Sequence, residues 1–256
     1  MAARNRFLAA LDPADLALIA PGLTDIELTT GEVLYQPGQR VETVYFPNSA
    51  LISIVTAMQD GRSVEVSTAG FESVVGTVLA LSGAPSHAQV FVQVPGKARK
   101  LAAARLREAA VSSPSLLRLL MRYVQQDIAF SEQSVACNAL HGATARLARW
   151  LLVTQDRVDS TKIPLTQEYL AIMIGVQRTT ATASALALKS AGLIRYMRGK
   201  IEILDRAGLE AAACECYWAG AAGQAKSTSE RRGASAMTSA AVSRRRAAAK
   251  EEAAVG

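Results

Sequence analysis

The run Gln177-Arg178-Thr179-Thr180 sets an amide, a guanidinium and two hydroxyls on four successive residues. Side chains of these types read base edges, and arginine can give guanine O6 and N7 two donors at once. The charge around them has one sign. From Arg178 to Lys200 the charged residues are Arg178, Lys189, Arg195, Arg198 and Lys200, with no Asp or Glu. A local positive face of that kind suits phosphates. Catalytic chemistry is poorly supplied. His87 and His141 are the only histidines, and no Gly-x-Ser-x-Gly, His-Glu-x-x-His or phosphate-loop pattern occurs, so no enzyme is expected. Cys137, Cys214 and Cys216 show no framework spacing, which fits a reducing cytoplasm. An iron–sulfur cluster needs about four thiolates. Neither a metal nor another cofactor is therefore expected. Cys137 reads as a small buried residue of a helix, and Cys214 and Cys216 read as part of the last helix, too few for a tetrahedral site.

The polar run needs a rigid element to aim it. Thr166 is a good N-cap, and Leu170, Met173 and Ile174 follow at i, i+3 and i+4 as one apolar face. Gly175 supplies a sharp turn, with Val176 under the corner. Residues Gln177 to Ser190 then resume a helical pattern, with Ala181, Ala185 (or Leu186) and Leu188 inward, and Ala191-Gly192 ends it. Two short helices about a glycine turn make a helix-turn-helix, whose second helix enters the major groove. Residues Ile194 to Ile203 alternate with period 2 around Arg198-Gly199, a hairpin signal. On this reading Arg178 reads bases, while Gln177, Thr179, Thr180 and Thr182 contact bases or phosphates. Thr166 and Gln167, with Arg195, Arg198 and Lys200, hold the DNA backbone, and Lys189 adds to the positive face. A small helical domain with a solvated basic face would show the same pattern.

The stretches LTQEYLA, IGVQR, AGLIRY and GKIEILDRAGLE resemble, in register and without a gap, the winged helix-turn-helix of the Crp/Fnr superfamily of bacterial transcription regulators. The resemblance implies an α+β chain: an N-terminal β-roll (jelly-roll-like) sensory domain, a long dimerisation helix and a C-terminal winged helix-turn-helix. It further implies a cytoplasmic homodimer acting on double-stranded DNA, with RNA polymerase a candidate partner. Many relatives carry a Glu directly after the recognition arginine and a second arginine further on. Here those places are Thr179 and Ala183, so the target sequence cannot be copied from them. TGEVLYQPGQRVETVYF matches the opening of the superfamily's roll. In cyclic-nucleotide-binding relatives the segment equivalent to Val74–Val92 carries a Gly-Glu, the Glu on the ribose, and later an Arg-Ser/Thr pair on the cyclic phosphate. Gly76 is kept, but the Glu position is Thr77, and the Arg and Ser positions are His87 and Ala88. A cyclic phosphate without a guanidinium loses its charge-assisted, bidentate partner, so neither cyclic AMP nor cyclic GMP is expected. Gly76, Thr77, His87 and Ala88 mark the pocket, with Ser131 where relatives place a hydroxyl that reaches the ligand. Its occupant is an unidentified small-molecule effector, unless the roll serves only as a scaffold. The rival reading is a ligand- or protein-binding module that has lost DNA binding.

Taken in order, the chain opens with a short amphipathic helical segment, Asn5 to Pro21. Short β-branched runs fill Thr24 to about Lys100, with turns at Pro37-Gly38, Asp60-Gly61 and Pro95-Gly96. Pro114 opens a long helix in which Leu117, Leu120, Val124, Ile128, Ser131, Val135 and Asn138 recur at alternating spacings of 3 and 4, the seam of a two-stranded coiled coil. A helix buried against the roll would show the same stripe; the resemblance favours a homodimer through the 114–138 helix. A helix over Ala143–Val153, a loop over Thr154–Pro164 and a closing helix over Ala207–Trp218 are expected. The boundaries read as 1–112 for the roll, 113–140 for the dimerisation helix, 141–219 for the DNA-binding domain and 220–256 for a disordered Ala/Ser/Arg tail. No run approaches the ~18 apolar residues of a membrane span, and the N-terminus does not read as a signal peptide. The net charge of +6 is mostly the tail's: from Lys226 onward there are seven Lys/Arg and three Asp/Glu. The local run of cations, not the total, is therefore what bears on binding.

Overall fold

Alternating apolar residues build two sheets that face each other. The computed structural model describes residues 5–158, 160–197 and 199–219, and the tail expected at 220–256 lies outside them. Helices α1 (Arg6–Ala9) and α2 (Pro13–Ile19) replace the single N-terminal segment expected, divided at Asp12-Pro13. The strands are β1 (Thr24–Leu28), β2 (Val33–Tyr35), β3 (Thr43–Pro47), β4 (Leu51–Ala57), β5 (Ser63–Ala69), β6 (Gln89–Val94) and β7 (Gly96–Ala102). One sheet has the order β1-β7-β3 and the other β2-β6-β4-β5, all antiparallel. Asp60-Gly61 turns β4 into β5: Gly61 takes φ 83, and the Asp60 carboxylate accepts from the Arg62 amide at 3.0 Å. A short helix, α3 (Thr77–Ser82), interrupts the roll, and α4 (Ala103–Ser112) leaves it.

Helix α5 (Pro114–Leu140) has two apolar faces, because its apolar residues outnumber one stripe. Leu116, Leu119, Leu120 and Tyr123 enter the core beside Phe7, Val44, Phe46, Leu101 and Leu106. Leu120 is fully buried there, which removes it from the expected seam. The uncovered face instead carries Leu117, Met121, Ile128 and Val135, 40–70% exposed, with Val124 and Ser131 half-buried between them. With Met121 in place of Leu120 the spacing becomes 4, 3, 4, 3, 4, a regular heptad stripe.

The C-terminal half follows α6 (Ala143–Val158), which runs five residues beyond the expected end because Thr154, Arg157 and Val158 are all buried. The expected loop therefore shrinks, and it contains a strand, β8 (Lys162–Pro164). Next come α7 (Gln167–Ile174), α8 (Arg178–Ser190), β9 (Ile194–Met197), β10 (Lys200–Ile203) and α9 (Arg206–Ala212), with the sheet ordered β8-β10-β9. Helix α9 ends at Ala212, so Cys214 stands outside a helix, while Cys216 opens a further helical stretch over 216–219. The core of this half, with Leu147, Leu151, Ile163, Leu170, Ile174, Ala181, Ala185, Leu188, Ile194 and Ile201, also takes in Val55 and Phe91 of the roll. Phe91 packs on Tyr169 with ring centroids 5.4 Å apart. Among the described residues no helix is long and apolar enough to cross a membrane.

Candidate functional site

Small residues set the orientation of α8. Ala181, Ser184, Ala185 and Leu188 are buried and Thr179 lies opposite them, while Arg178 and Thr180 flank the buried face and are exposed in the first turn. Leu186 is half exposed, which settles the inward position on Ala185. The two helices are joined as the sequence demands. The Thr166 hydroxyl caps α7 by accepting from the Tyr169 amide at 3.3 Å. Gly175 adopts φ 61, left-handed backbone in which a Cβ would be strained. It also lies against the β4–β5 hairpin, where an added Cβ would stand 2.9 Å from Val64.

Gln177 is the N-cap of α8, extended in backbone and exposed. Thr182 is half-buried, and its hydroxyl donates to the Arg178 carbonyl at 2.9 Å, so it is turned back on its own helix. Lys189 is exposed in the last turn of α8. Arg195 on β9 pairs with Glu202 on β10 at 2.7 Å, an acid just past the uniformly basic stretch and absent from the sequence reading. Lys200 is exposed at the start of β10, while Gln167 opens α7 and Arg198 lies outside the described residues. Gln177, Arg178, Thr179 and Thr180 are thus exposed together at one helix start, while Arg195 and Lys200 belong to the hairpin strands.

The five pocket residues converge. Gly76, Thr77, His87, Ala88 and Ser131 all line one cavity of about 520 Å³ between the roll and α5, with Val74, Val90, Val124 and Ile128 among its aliphatic walls. No lysine or arginine lines it among the described residues; its acids are Asp127 and Glu132. Gly76 is dictated by packing as well as backbone: φ is 91, and an added Cβ would collide with the Tyr35 hydroxyl. That hydroxyl donates to the Thr43 carbonyl at 2.6 Å. The Thr77 hydroxyl is used internally, donating to the Val74 carbonyl at 3.2 Å. His87 is exposed at the rim.

A buried polar seam joins the cavity to the C-terminal half. Ser73 donates to Asp127 of α5 at 2.9 Å, and burial pushes that carboxyl up to about 6. Glu72 pairs with Arg157 of α6 at 2.7 Å; the same guanidinium bonds Thr68 and lies 4.6 Å above Phe130. Glu65 accepts from Ser53 at 2.6 Å and from the Trp150 indole at 2.7 Å. Burial pushes Glu65 up to about 7 despite those donors. None of these acids was singled out by sequence, since each reads as an ordinary solvent-facing residue of a strand or helix.

Four further side chains gather where the end of α5 meets the segment after α9. Cys137, His141, Cys214 and Cys216 bring one sulfur or nitrogen each to within 4.8 Å of one another. The sequence reading counted thiols alone and left out His141. No disulfide joins them, and burial pushes the Cys137 thiol up to about 12.

Comparison with known proteins agrees with this geometry. A family model of the cyclic nucleotide-binding domain matches residues 25–113, and one of the Crp-like helix-turn-helix domain matches residues 145–212. No curated protein matches the chain. Solved structures share the fold. FixK2 from Bradyrhizobium japonicum superposes with TM-score 0.64 at 17% identity, over 75% of this chain and 98% of its own. TTHB099, a CRP-family transcriptional regulator from Thermus thermophilus, gives 0.63 at 20% identity over 73% and 96%. CLP from Xanthomonas campestris, described as a c-di-GMP responsive global regulator, gives 0.62 at 15% over 75% and 99%. With both domain types in the superfamily's order and a long helix between them, the chain belongs to the Crp/Fnr superfamily of transcription regulators.

Proposed function

We propose that this regulator acts as a homodimer that binds double-stranded DNA sequence-specifically and takes, in its roll cavity, an effector other than a cyclic nucleotide. The observation that carries the DNA reading is the start of α8, where Gln177, Arg178, Thr179 and Thr180 are exposed while Ala181, Ala185 and Leu188 anchor the helix. Arg178 is the base reader, given the guanidinium's two parallel donors. Gln177, Thr179 and Thr180 contact bases or phosphates. Thr182 contributes through its methyl group or after rotating its hydroxyl off Arg178. Thr166 and Gln167 at the start of α7, with Lys189, Arg195, Arg198 and Lys200, hold phosphates. The heptad stripe of Leu117, Met121, Val124, Ile128, Ser131 and Val135 supports pairing of two α5 helices. Such a pair presents two α8 helices to successive major grooves, about 34 Å apart on one face of the duplex. RNA polymerase is the partner through which a bound regulator would act.

The cavity's chemistry supports an effector without a cyclic phosphate: aliphatic walls, two acids and no guanidinium. A phosphate diester there would face Asp127 with no lysine or arginine among the described lining residues to hold it. Signal transfer runs through groups at the cavity wall, from Ser73 and Asp127 by way of the neighbouring Glu72 to Arg157 of α6.

The test uses the full chain. Selection of bound duplexes from a random pool is expected to enrich a two-fold symmetric site, and Ile128→Asp is expected to give monomers by analytical ultracentrifugation and abolish that enrichment. Failure to retain duplex of any sequence at low salt overturns the DNA reading. Micromolar binding of cyclic AMP, cyclic GMP or cyclic di-GMP by calorimetry overturns the effector reading.

A further inference from the structure

The cluster at the end of α5 has the donor set and spacing of a single-ion site. Cys137 sits in the last turn of α5, and His141 is that helix's C-cap residue. Cys214 and Cys216 arrive from beyond α9, 77 residues along the chain in the case of the Cys137–Cys214 pair. The Cys137 and Cys214 sulfurs are 3.5 Å apart, and the Cys216 sulfur is 3.5 Å from His141 Nδ1. A tetrahedral zinc ion, with Zn–S about 2.3 Å and Zn–N about 2.0 Å, holds its donors roughly 3.5–3.8 Å apart. The three cysteines are buried and His141 is half-buried, so four protein donors enclose the point between them.

The surroundings match what metal ligands require. His141 turns its Nε2 to the Glu215 carboxylate at 3.1 Å, which fixes the tautomer that leaves the Nδ1 lone pair facing the thiols. A carboxylate behind a ligating imidazole is the usual partner in zinc sites. Gln133 directs its Nε2–H to the Cys216 sulfur at 3.0 Å. Zinc on three thiolates and a neutral imidazole leaves one net negative charge. The Arg149 guanidinium, near enough to favour charge on Cys137, offsets it.

We propose that Cys137, His141, Cys214 and Cys216 bind one structural zinc ion that clips the end of α5 to the segment following α9. Four ligands within 4.8 Å suit one ion; a multinuclear cluster spreads its ligands over separate metal atoms. With all four positions taken by protein, the site is closed and does no Lewis-acid chemistry. Its effect is mechanical. It joins the element proposed to pair the protomers to the domain that carries α8, closing a long loop at the joint where α5 hands over to α6.

Elemental analysis of the full-length chain, purified under reducing conditions without a metal-binding tag, is expected to find about one zinc per chain, retained on dialysis. Cobalt exchanged into the unsubstituted chain is expected to show the ligand-field and thiolate charge-transfer bands of a tetrahedral sulfur-rich site, a readout independent of whether variants fold. Cys216→Ser and His141→Ala should lose the metal, and Glu215→Ala should weaken it about 10–100-fold. Less than a tenth of an equivalent of zinc together with a featureless cobalt spectrum overturns the site. So does a Cys137–Cys214 disulfide in the reduced preparation, or zinc that persists in the Cys214→Ser/Cys216→Ser double variant.

Discussion

The two halves of this protein use glycine and small residues to opposite ends. In the C-terminal half, Gly175 and the alanines of α8 let the helix sink inward so that its polar start projects outward. In the roll, Gly76 admits the Tyr35 hydroxyl, and the space beneath it becomes an inward-facing cavity with aliphatic walls. The outward surface keeps the side chains its chemistry needs. The inward one presents Thr77, His87 and Ala88 to its cavity, with no lysine or arginine among the described lining residues. Backbone geometry is set by packing and persists when ligand chemistry changes; side-chain chemistry follows the ligand.

That contrast is sharpest at Gly76. Gly76→Val should cost about 3 kcal/mol, from left-handed strain added to the clash with Tyr35, read as a lowered urea midpoint. A loss below about 1 kcal/mol would mean that the cavity floor is soft and the comparison misplaced.

Comparable in size is the polar joint between the halves. Glu65 titrates at about 7 when folded, above the 4.5 of the free side chain, so its protonated form is the one the fold favours. Its contribution is complete below pH 4.5, is lost as pH rises through 7 and is constant beyond. Glu65→Gln keeps an acceptor for Trp150 and should flatten that window, by on the order of 3 kcal/mol across it. Thermal melts of both proteins from pH 4 to 8 decide the matter: parallel curves exclude Glu65 as the titrating group.

On the outward surface, Arg178→Ala should weaken specific DNA binding by roughly 1–3 kcal/mol and relax preference at one base position. Lys200→Ala has the smallest expected effect. It should weaken all sequences alike and reduce the slope of log affinity against log salt by about 1. If a binding-site selection with Arg178→Ala returned the unaltered motif, Arg178 would belong with Lys200 among the phosphate contacts.

Local signals were legible in the sequence and long-range ones were not. Thr166, Gly175 and the Asp60-Gly61 turn each declare themselves within a few residues, because caps and tight turns depend on neighbours in the chain. Gly76, Thr77, His87, Ala88 and Ser131 line one cavity. By contrast, β8 is three residues ending in Pro164, too short for a period, and exists because β10 pairs with it. Arg157 looks like a loop residue until Thr68, Glu72 and Phe130 of other elements surround it. The exchange of Leu120 for Met121 in the stripe of α5 has the same origin: two apolar faces overlap in sequence, and only the roll decides which residue belongs to which. Cys137 stands four residues before His141 and was the one local signal for it; Cys214 and Cys216 lie more than seventy residues on, where nothing near His141 points.

The stripe on α5 has one further consequence. Val124, Ile128, Ser131 and Val135 belong both to that stripe and to the cavity wall. When two copies meet along it, each effector chamber shares a partition with the joint between protomers. Occupancy on one side then reshapes the wall felt on the other, so saturation curves for the effector should depart from a simple hyperbola, in a direction set by whether the first occupant tightens or loosens that partition.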